Sequence, residues 1–117
     1  MSLQGTFREV GEIAVIDFSG TITLGPSTAT LRKMVRELVA KGYRKILLNL
    51  GEVDYIDSAG LGELVSAHAT VRNARGELKL VQLNKHVRDL IQITRLYTVF
   101  DVQPTEAAAI RSFNTTV

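Results

Sequence analysis

The spacing of hydrophobic residues changes several times along the chain, and each change predicts a new element. Two β-rich runs, "TFREV" and "IAVIDF", are separated by Gly11 and Glu12, which predict a hairpin turn. From Thr28 onward apolar residues recur at helical spacing, and Lys41 with Gly42 marks the predicted end of that helix. The first part of the chain therefore predicts two strands followed by a helix.

The remainder alternates short apolar runs with helical patterns. Residues 46–50, "ILLNL", are almost continuously apolar, which is typical of a strand buried on both faces. Residues 61–71 and 87–94 show helical faces, "ELKLVQL" and "TVFDV" predict strands, and the segment from Pro104 predicts a closing helix. The order β-β-α-β-α-β-α-β-α predicts a single α/β domain over residues 1–117, with a mixed, mostly parallel sheet and about four helices.

The amino-acid composition argues against several classes of function. Hydrophobic residues make up 45% of the chain and charged residues 22%, which is ordinary for a folded domain. No apolar stretch approaches the ~20 residues of a membrane span, so direct membrane insertion is not expected. The net charge is only +2 and aromatic residues are 6%, without the dense basic patch of a nucleic-acid binder. The first ten residues lack the pattern of a signal peptide.

The chain has no cysteine, which excludes disulfides, thiolate catalysis and cysteine-based zinc sites. This composition suits a reducing compartment, and we expect a cytoplasmic location.

The stretch "VDYIDSAGLGEL", residues 53–64, lies where the third predicted strand passes into the second helix. Loops at the carboxyl ends of strands are the usual site location in open α/β sheets. Asp57 and Ser58 also have a purely structural alternative, because their oxygens can cap a helix start for ~1 kcal/mol. If Asp57 is the cap, the hydroxyl of Ser58 stays free at the first helical position.

Two glycines in the first helical turn favour a functional interpretation. Gly60 and Gly62 each cost ~1 kcal/mol relative to alanine inside a helix. Their missing side chains would let another molecule approach the backbone closely. A phosphate added to Ser58 would be stabilised by the free N–H groups and the dipole of the helix start. The residues alone therefore make Ser58 a suitable place for a phosphate, on a surface that is open to a partner.

The motif "DSAGLG", residues 57–62, resembles the D-S-x-G-L-G signature of STAS domains, in particular of the bacterial anti-sigma factor antagonists. The resemblance covers essentially the whole chain. It includes the "GTITL" turn after the second strand, the buried "KILLNL" strand and the closing "VFDVQPTEAAAI". It implies a single STAS domain over residues 1–117.

The resemblance also implies a function. In this family the serine matching Ser58 is phosphorylated by an anti-sigma factor that is itself a serine kinase. The unphosphorylated protein binds that kinase and so releases the sigma factor for transcription, and a phosphatase reverses the modification. Asp57 and the Gly60-Leu61-Gly62 turn would lie in the contact surface. The implied protein is a binding switch, without catalytic residues, cofactor or metal.

One position departs from the family pattern. Antagonists often carry an aspartate in a G-x-x-D pattern after the second strand, whereas this chain has Gly20-Thr21-Ile22-Thr23. Thr23 keeps a hydrogen-bonding oxygen but lacks the charge that helps the kinase contact. Thr21 and Thr23 remain expected partner-binding residues.

A second function stays open on the same resemblance. STAS domains also act as constitutive interaction modules, either as scaffolds of signalling assemblies or as accessory subunits of membrane lipid transport systems. In that case Ser58 would be a cap or a packing residue.

Other chemistry is less well supported. His68 lies on an apolar helix face, which favours a buried or boundary histidine over a catalytic one. No phosphate-binding loop motif occurs, and Asp54, Asp57 and Glu63 resemble caps and solvated charges more than metal ligands.

Overall fold

The computed structural model describes residues 2–114, which form five strands, four helices and one short 3₁₀ turn. The predicted element order β-β-α-β-α-β-α-β-α is confirmed. The elements are β1 (Leu3–Val10), β2 (Ile13–Ile22), α1 (Pro26–Ala40), β3 (Lys45–Ile56), α2 (Ser58–Asn73), β4 (Glu77–Val81), α3 (Lys85–Ile93), the 3₁₀ turn (Leu96–Thr98), β5 (Asp101–Gln103) and α4 (Glu106–Asn114).

The strands form one sheet in which spatial neighbours follow chain order, β1-β2-β3-β4-β5. β1 and β2 make the predicted antiparallel hairpin around Gly11 and Glu12, with Val10 opposite Ile13. The pairings β2–β3, β3–β4 and β4–β5 are all parallel. The sheet is therefore mixed and mostly parallel, as the sequence predicts.

Helices α1, α2 and α3 pack on one face of the sheet and enclose the larger core. Every second residue of the buried β3 run points to this face, which places Ile46, Leu48 and Leu50 in the core. Each helix contributes the apolar stripe that its sequence period predicts. The helical side chains buried there include Leu31 and Val35 from α1, Leu64 and Val71 from α2, and Val87 and Ile91 from α3.

Helix α4 covers the other face and completes a smaller core. Leu47 of β3 and Val15 of β2 pack there against Ala109 and Phe113 of α4. Since β3 is covered on both faces, the continuous apolar run that predicts a buried strand is explained. Within residues 2–114, none of these helices has the length and apolar character needed to cross a membrane.

Several polar groups on the α4 side form one network. The Arg8 guanidinium on β1 pairs with Asp17 on β2, with 2.6 Å between Nε and Oδ2, and with Glu106 on α4. Asn49 on β3 donates a further hydrogen bond to Asp17 at 2.8 Å. Arg8 lowers the pKa of both carboxyls, mainly by hydrogen bonding. The network thus ties three strands to the closing helix.

Strand β3 is longer than the apolar run suggests, because it continues through Val53 to Ile56. Both of these residues are fully buried, while Asp54 and Tyr55 between them are exposed. The extension keeps β3 paired with β2 as far as Ile22 opposite Ile56. Two parallel strands consequently end side by side at the edge of the sheet where Asp57 and Ser58 follow.

The predicted strand "TVFDV" is wrong in its extent. Residues 96–98 form the 3₁₀ turn, and β5 contains only Asp101–Gln103. Phe100 is buried in the larger core, so the chain must turn inward there before it can pair. β5 lies at the sheet edge and pairs with β4 alone, over three residues.

Candidate functional site

Asp57 and Ser58 lie at the carboxyl edge of β3, beside the end of β2. The N–H of Asp57 donates to the carbonyl of Ile22 at 3.2 Å, which continues the β2–β3 contact beyond the last strand pair. Helix α2 begins at Ser58 immediately afterwards. The motif is therefore held by two adjacent parallel strands, the position at which open α/β sheets usually place their sites.

Asp57 is the N-cap of α2, which is the alternative that leaves the Ser58 hydroxyl free. Its backbone is extended, and its Oδ1 accepts a hydrogen bond from the N–H of Gly60 at 2.7 Å. Its other oxygen, Oδ2, accepts from the N–H of Leu24 at 3.0 Å, in the loop between β2 and α1. The hydrogen bonds from Leu24 and then Gly60 hold the pKa of this carboxyl below its usual range. Asp57 thus remains charged and joins two segments that are distant in sequence.

Ser58 is the first residue of α2 and is exposed. Asp57 provides the cap in place of Ser58, and the Ser58 hydroxyl makes no hydrogen bond within residues 2–114. The hydroxyl sits at the positive end of a 16-residue helix. The arrangement leaves a reachable nucleophilic oxygen where an added negative charge would be stabilised locally.

The two glycines of the motif have different surroundings. A Cβ atom on Gly60 would lie 1.9 Å from the carbonyl oxygen of Ile22, a distance that no side chain can occupy. Gly60 is buried, and its missing side chain lets α2 approach β2. A Cβ on Gly62 would meet nothing within 4 Å, and Gly62 is exposed. Only Gly62 leaves its backbone open to another molecule; close packing explains Gly60.

The remaining expected contact residues are less exposed than their sequence positions suggest. Leu61 is 7% exposed and belongs to the larger core. Thr21 is 3% exposed, and its hydroxyl is buried without a hydrogen-bond partner in the described part of the chain. Thr23 is half-buried and directly precedes Leu24, the loop residue whose N–H binds Asp57. Leu61 and Thr21 can shape this surface from below but offer little area for direct contact.

The structure adds exposed apolar side chains that the motif alone does not indicate. Leu24 is 79% exposed in the loop that Asp57 holds. Tyr55, at the end of β3, is 47% exposed and stacks on the ring of His86, with ring centroids 4.8 Å apart. The Nε2 atom of His86 lies 3.3 Å from the carbonyl of Ile56. No local sequence signal identifies these contacts, because each joins residues about thirty positions apart in the chain.

An ion pair joins helices α1 and α2 beside the site. Glu63 of α2 is buried, and its carboxylate accepts a hydrogen bond from Arg32 of α1 at 2.6 Å. The interpretation of Glu63 as a cap or solvated charge is therefore wrong, since it is the buried member of an ion pair. Among residues 2–114, no group of three or more His, Asp or Glu side chains is placed to hold a metal ion.

His68 packs edge-on against Phe100, with ring centroids 6.0 Å apart, and is half-buried. Burial lowers its pKa first, and the nearby charge of Arg72 lowers it further. The predicted boundary position of this histidine is confirmed.

Comparisons with known proteins identify relatives of this chain. The family model described as the STAS domain matches residues 6–109. BtrV of Bordetella bronchiseptica, whose name assigns it to the anti-sigma factor antagonists, is 36% identical over 92 residues. That match covers 76% of this chain and 79% of the relative.

Solved structures share the fold at lower identity. A Thermotoga maritima protein described as an anti-sigma factor antagonist superposes with a TM-score of 0.87 at 24% identity, over 94% of each chain. The antagonist SpoIIAA in its unphosphorylated form gives 0.73 at 18% identity, over 97% of this chain and 100% of that one. Phosphorylated SpoIIAA from Bacillus gives 0.71 at 20% identity, over 93% and 98%.

Proposed function

The chain belongs to the STAS domain family, and on that premise we propose that it is an anti-sigma factor antagonist controlled by phosphorylation of Ser58. In the unphosphorylated state it binds an anti-sigma factor that is a serine kinase, and this releases a sigma factor for transcription. Phosphorylation by the same kinase ends the binding, and a phosphatase restores it. The protein acts in the cytoplasm as a binding switch and carries out no chemistry of its own.

The observation that carries the proposal is the free hydroxyl of Ser58 at the start of α2. A serine that capped the helix would have its oxygen occupied by a backbone N–H. Here Asp57 accepts that bond, at 2.7 Å from Gly60. Ser58 is therefore exposed without a structural task in residues 2–114, and the helix start favours a phosphate there.

The comparisons support the same proposal. Relatives at or above 30% identity carry the name anti-sigma factor antagonist, and BtrV matches over most of its length. The fold of this chain is about equally similar to SpoIIAA in its unphosphorylated and phosphorylated forms. Both forms of SpoIIAA thus share this fold, which supports a switch that leaves the fold intact.

The proposed partner surface is centred on Ser58 and includes Asp57, Gly62 and Thr23. Gly60, Leu61 and Thr21 lie beneath it and set its shape. A phosphate on Ser58 would add about −1.5 to −2 charges at neutral pH. Within a docked interface such a charge is costly unless a cationic group of the partner faces it. In the proposed switch, this cost is what weakens binding of the phosphorylated protein to its partner.

Phosphorylation in vitro tests the proposal directly. The protein is incubated with the serine-kinase anti-sigma factor of its source organism and ATP, and mass spectrometry maps the product. We expect one phosphate, on Ser58, and none on Ser58→Ala. Equal modification of Ser58→Ala, or binding of the kinase that is unaffected by the phosphate, would leave the constitutive interaction module as the better explanation.

A further inference from the structure

Leu24 combines an exposed apolar side chain with a fixed backbone. Its side chain is 79% exposed, yet its N–H donates to the Asp57 carboxylate 33 residues away in sequence. A single exposed leucine is ordinary in itself. Leu24 is unusual because its backbone is held by Asp57, the residue that precedes the candidate phosphoacceptor Ser58.

The two oxygens of Asp57 have separate tasks. Oδ1 caps α2 through Gly60, and this bond alone satisfies the capping requirement. Oδ2 binds the Leu24 N–H, which belongs to neither strand nor helix. The second hydrogen bond therefore sets the position of the loop between β2 and α1, next to Ser58.

We propose that Asp57 is a positioning residue that holds Leu24 as an apolar anchor for the kinase partner. The inference rests on the proposed function and specifies which side chain the partner recognises beside Ser58. The partner must offer an apolar pocket next to the site from which it transfers phosphate. A leucine on a fixed backbone loses little further freedom on docking, and buried apolar anchors commonly dominate protein interfaces.

The chain offers a matched control for Leu24. Ile93, at the end of α3, is 80% exposed and lies outside the proposed surface. Leu24→Ala and Ile93→Ala are titrated calorimetrically against the unmodified kinase, and their melting temperatures are measured. We expect Leu24→Ala to bind at least about tenfold more weakly and Ile93→Ala to bind like the wild type, with both melting temperatures essentially unchanged.

The positioning role of Asp57 is tested with Asp57→Asn. Asparagine is also a good N-cap, so the bond from Gly60 is kept. Its single carbonyl oxygen faces one N–H, and its amide group cannot accept from Leu24. We expect weaker binding by Asp57→Asn with nearly unchanged thermal stability. In the Leu24→Ala background the same change should have little further effect, because the anchor that Asp57 positions is already absent.

The outcomes separate this inference from the proposed function. Ser58→Asp is titrated in the same series. Weak binding by Ser58→Asp together with normal binding by Leu24→Ala would overturn the anchor and leave the switch intact. Additive losses from Leu24→Ala and Asp57→Asn would overturn the positioning role. Failure of the unmodified wild type to bind the kinase would overturn both the proposed function and the anchor.

Discussion

Two regions of the molecule use carboxylates to join distant segments, but they leave different groups free. Beneath α4, Arg8 pairs with both Asp17 and Glu106, and Asn49 adds a further bond to Asp17. At the start of α2, Asp57 accepts two backbone N–H groups and has no cationic partner in residues 2–114.

The difference separates a structural network from a candidate site. The α4 network pairs its charges with one another, so its contribution is to the docking of the closing helix. At the start of α2 the cap is provided by the neighbouring residue, which leaves the Ser58 hydroxyl and the positive helix end available. The start of α2 therefore presents free groups to the proposed kinase partner, whereas the α4 network does not.

The largest expected effect concerns the glycine that supports the site from below. Gly60→Ala should destabilise the fold by about 3 kcal/mol, because its Cβ would collide with backbone and force α2 away from β2. Urea denaturation measures the free energy of unfolding. A stability equal to that of the wild type would show that α2 can shift at little cost and that close packing does not explain Gly60.

Ser58→Asp should affect binding without affecting the fold. We expect an unchanged circular dichroism spectrum and at least about tenfold weaker binding of the kinase, equivalent to ~1.4 kcal/mol. Ser58→Ala adds no charge and should bind about as well as the wild type. Calorimetric titration of both variants shows whether a negative charge at position 58 weakens or strengthens kinase binding. Tighter binding by Ser58→Asp would mean that the phosphorylated form is the one recognised.

Removal of Arg8 tests the α4 network. Arg8→Met should cost ~1 kcal/mol at neutral pH, a small value because Arg8, Asp17 and Glu106 are each about one-third exposed and solvent screens the pairs. Both carboxyls have a lowered pKa in the folded state. Their stabilisation is therefore present above their unfolded-state pKa values, near 4, and is lost as the pH falls through the folded-state values.

The pH dependence supplies the control for this prediction. Denaturation of the wild type and of Arg8→Met is compared at neutral pH and at several pH values well below about 4, because the folded-state pKa values of both carboxyls lie below the ordinary range. The difference in stability between the two proteins should shrink in acid, because protonated carboxyls no longer pair with Arg8. A difference that stays constant with pH would attribute the loss to packing of the Arg8 side chain.

The smallest expected effect belongs to the exposed glycine. Gly62→Ala should keep or slightly raise the free energy of unfolding, by at most about 1 kcal/mol, because alanine is the better helix former and the added Cβ meets nothing. Kinase affinity should fall if the partner approaches the backbone at this position. A lower melting temperature would instead assign Gly62 a structural task and remove it from the proposed surface.

Local patterns in the sequence were sufficient for most of the architecture. The hairpin at Gly11 and Glu12, the helical stripes and the doubly buried β3 all follow from hydrophobic spacing and turn residues, which depend on nearby neighbours. The N-cap role of Asp57 and the free position of Ser58 were predictable for the same reason, since capping operates within one helical turn.

Tertiary structure alone decided which groups of the motif face outward. Gly60 and Gly62 are equivalent in the sequence, but the carbonyl of Ile22 excludes a side chain from only one of them. The bond from Leu24 to Asp57 depends on how β2 and β3 end together. Contacts of this kind depend on the relative placement of segments more than thirty residues apart. The spacing of apolar residues within one segment therefore cannot predict them.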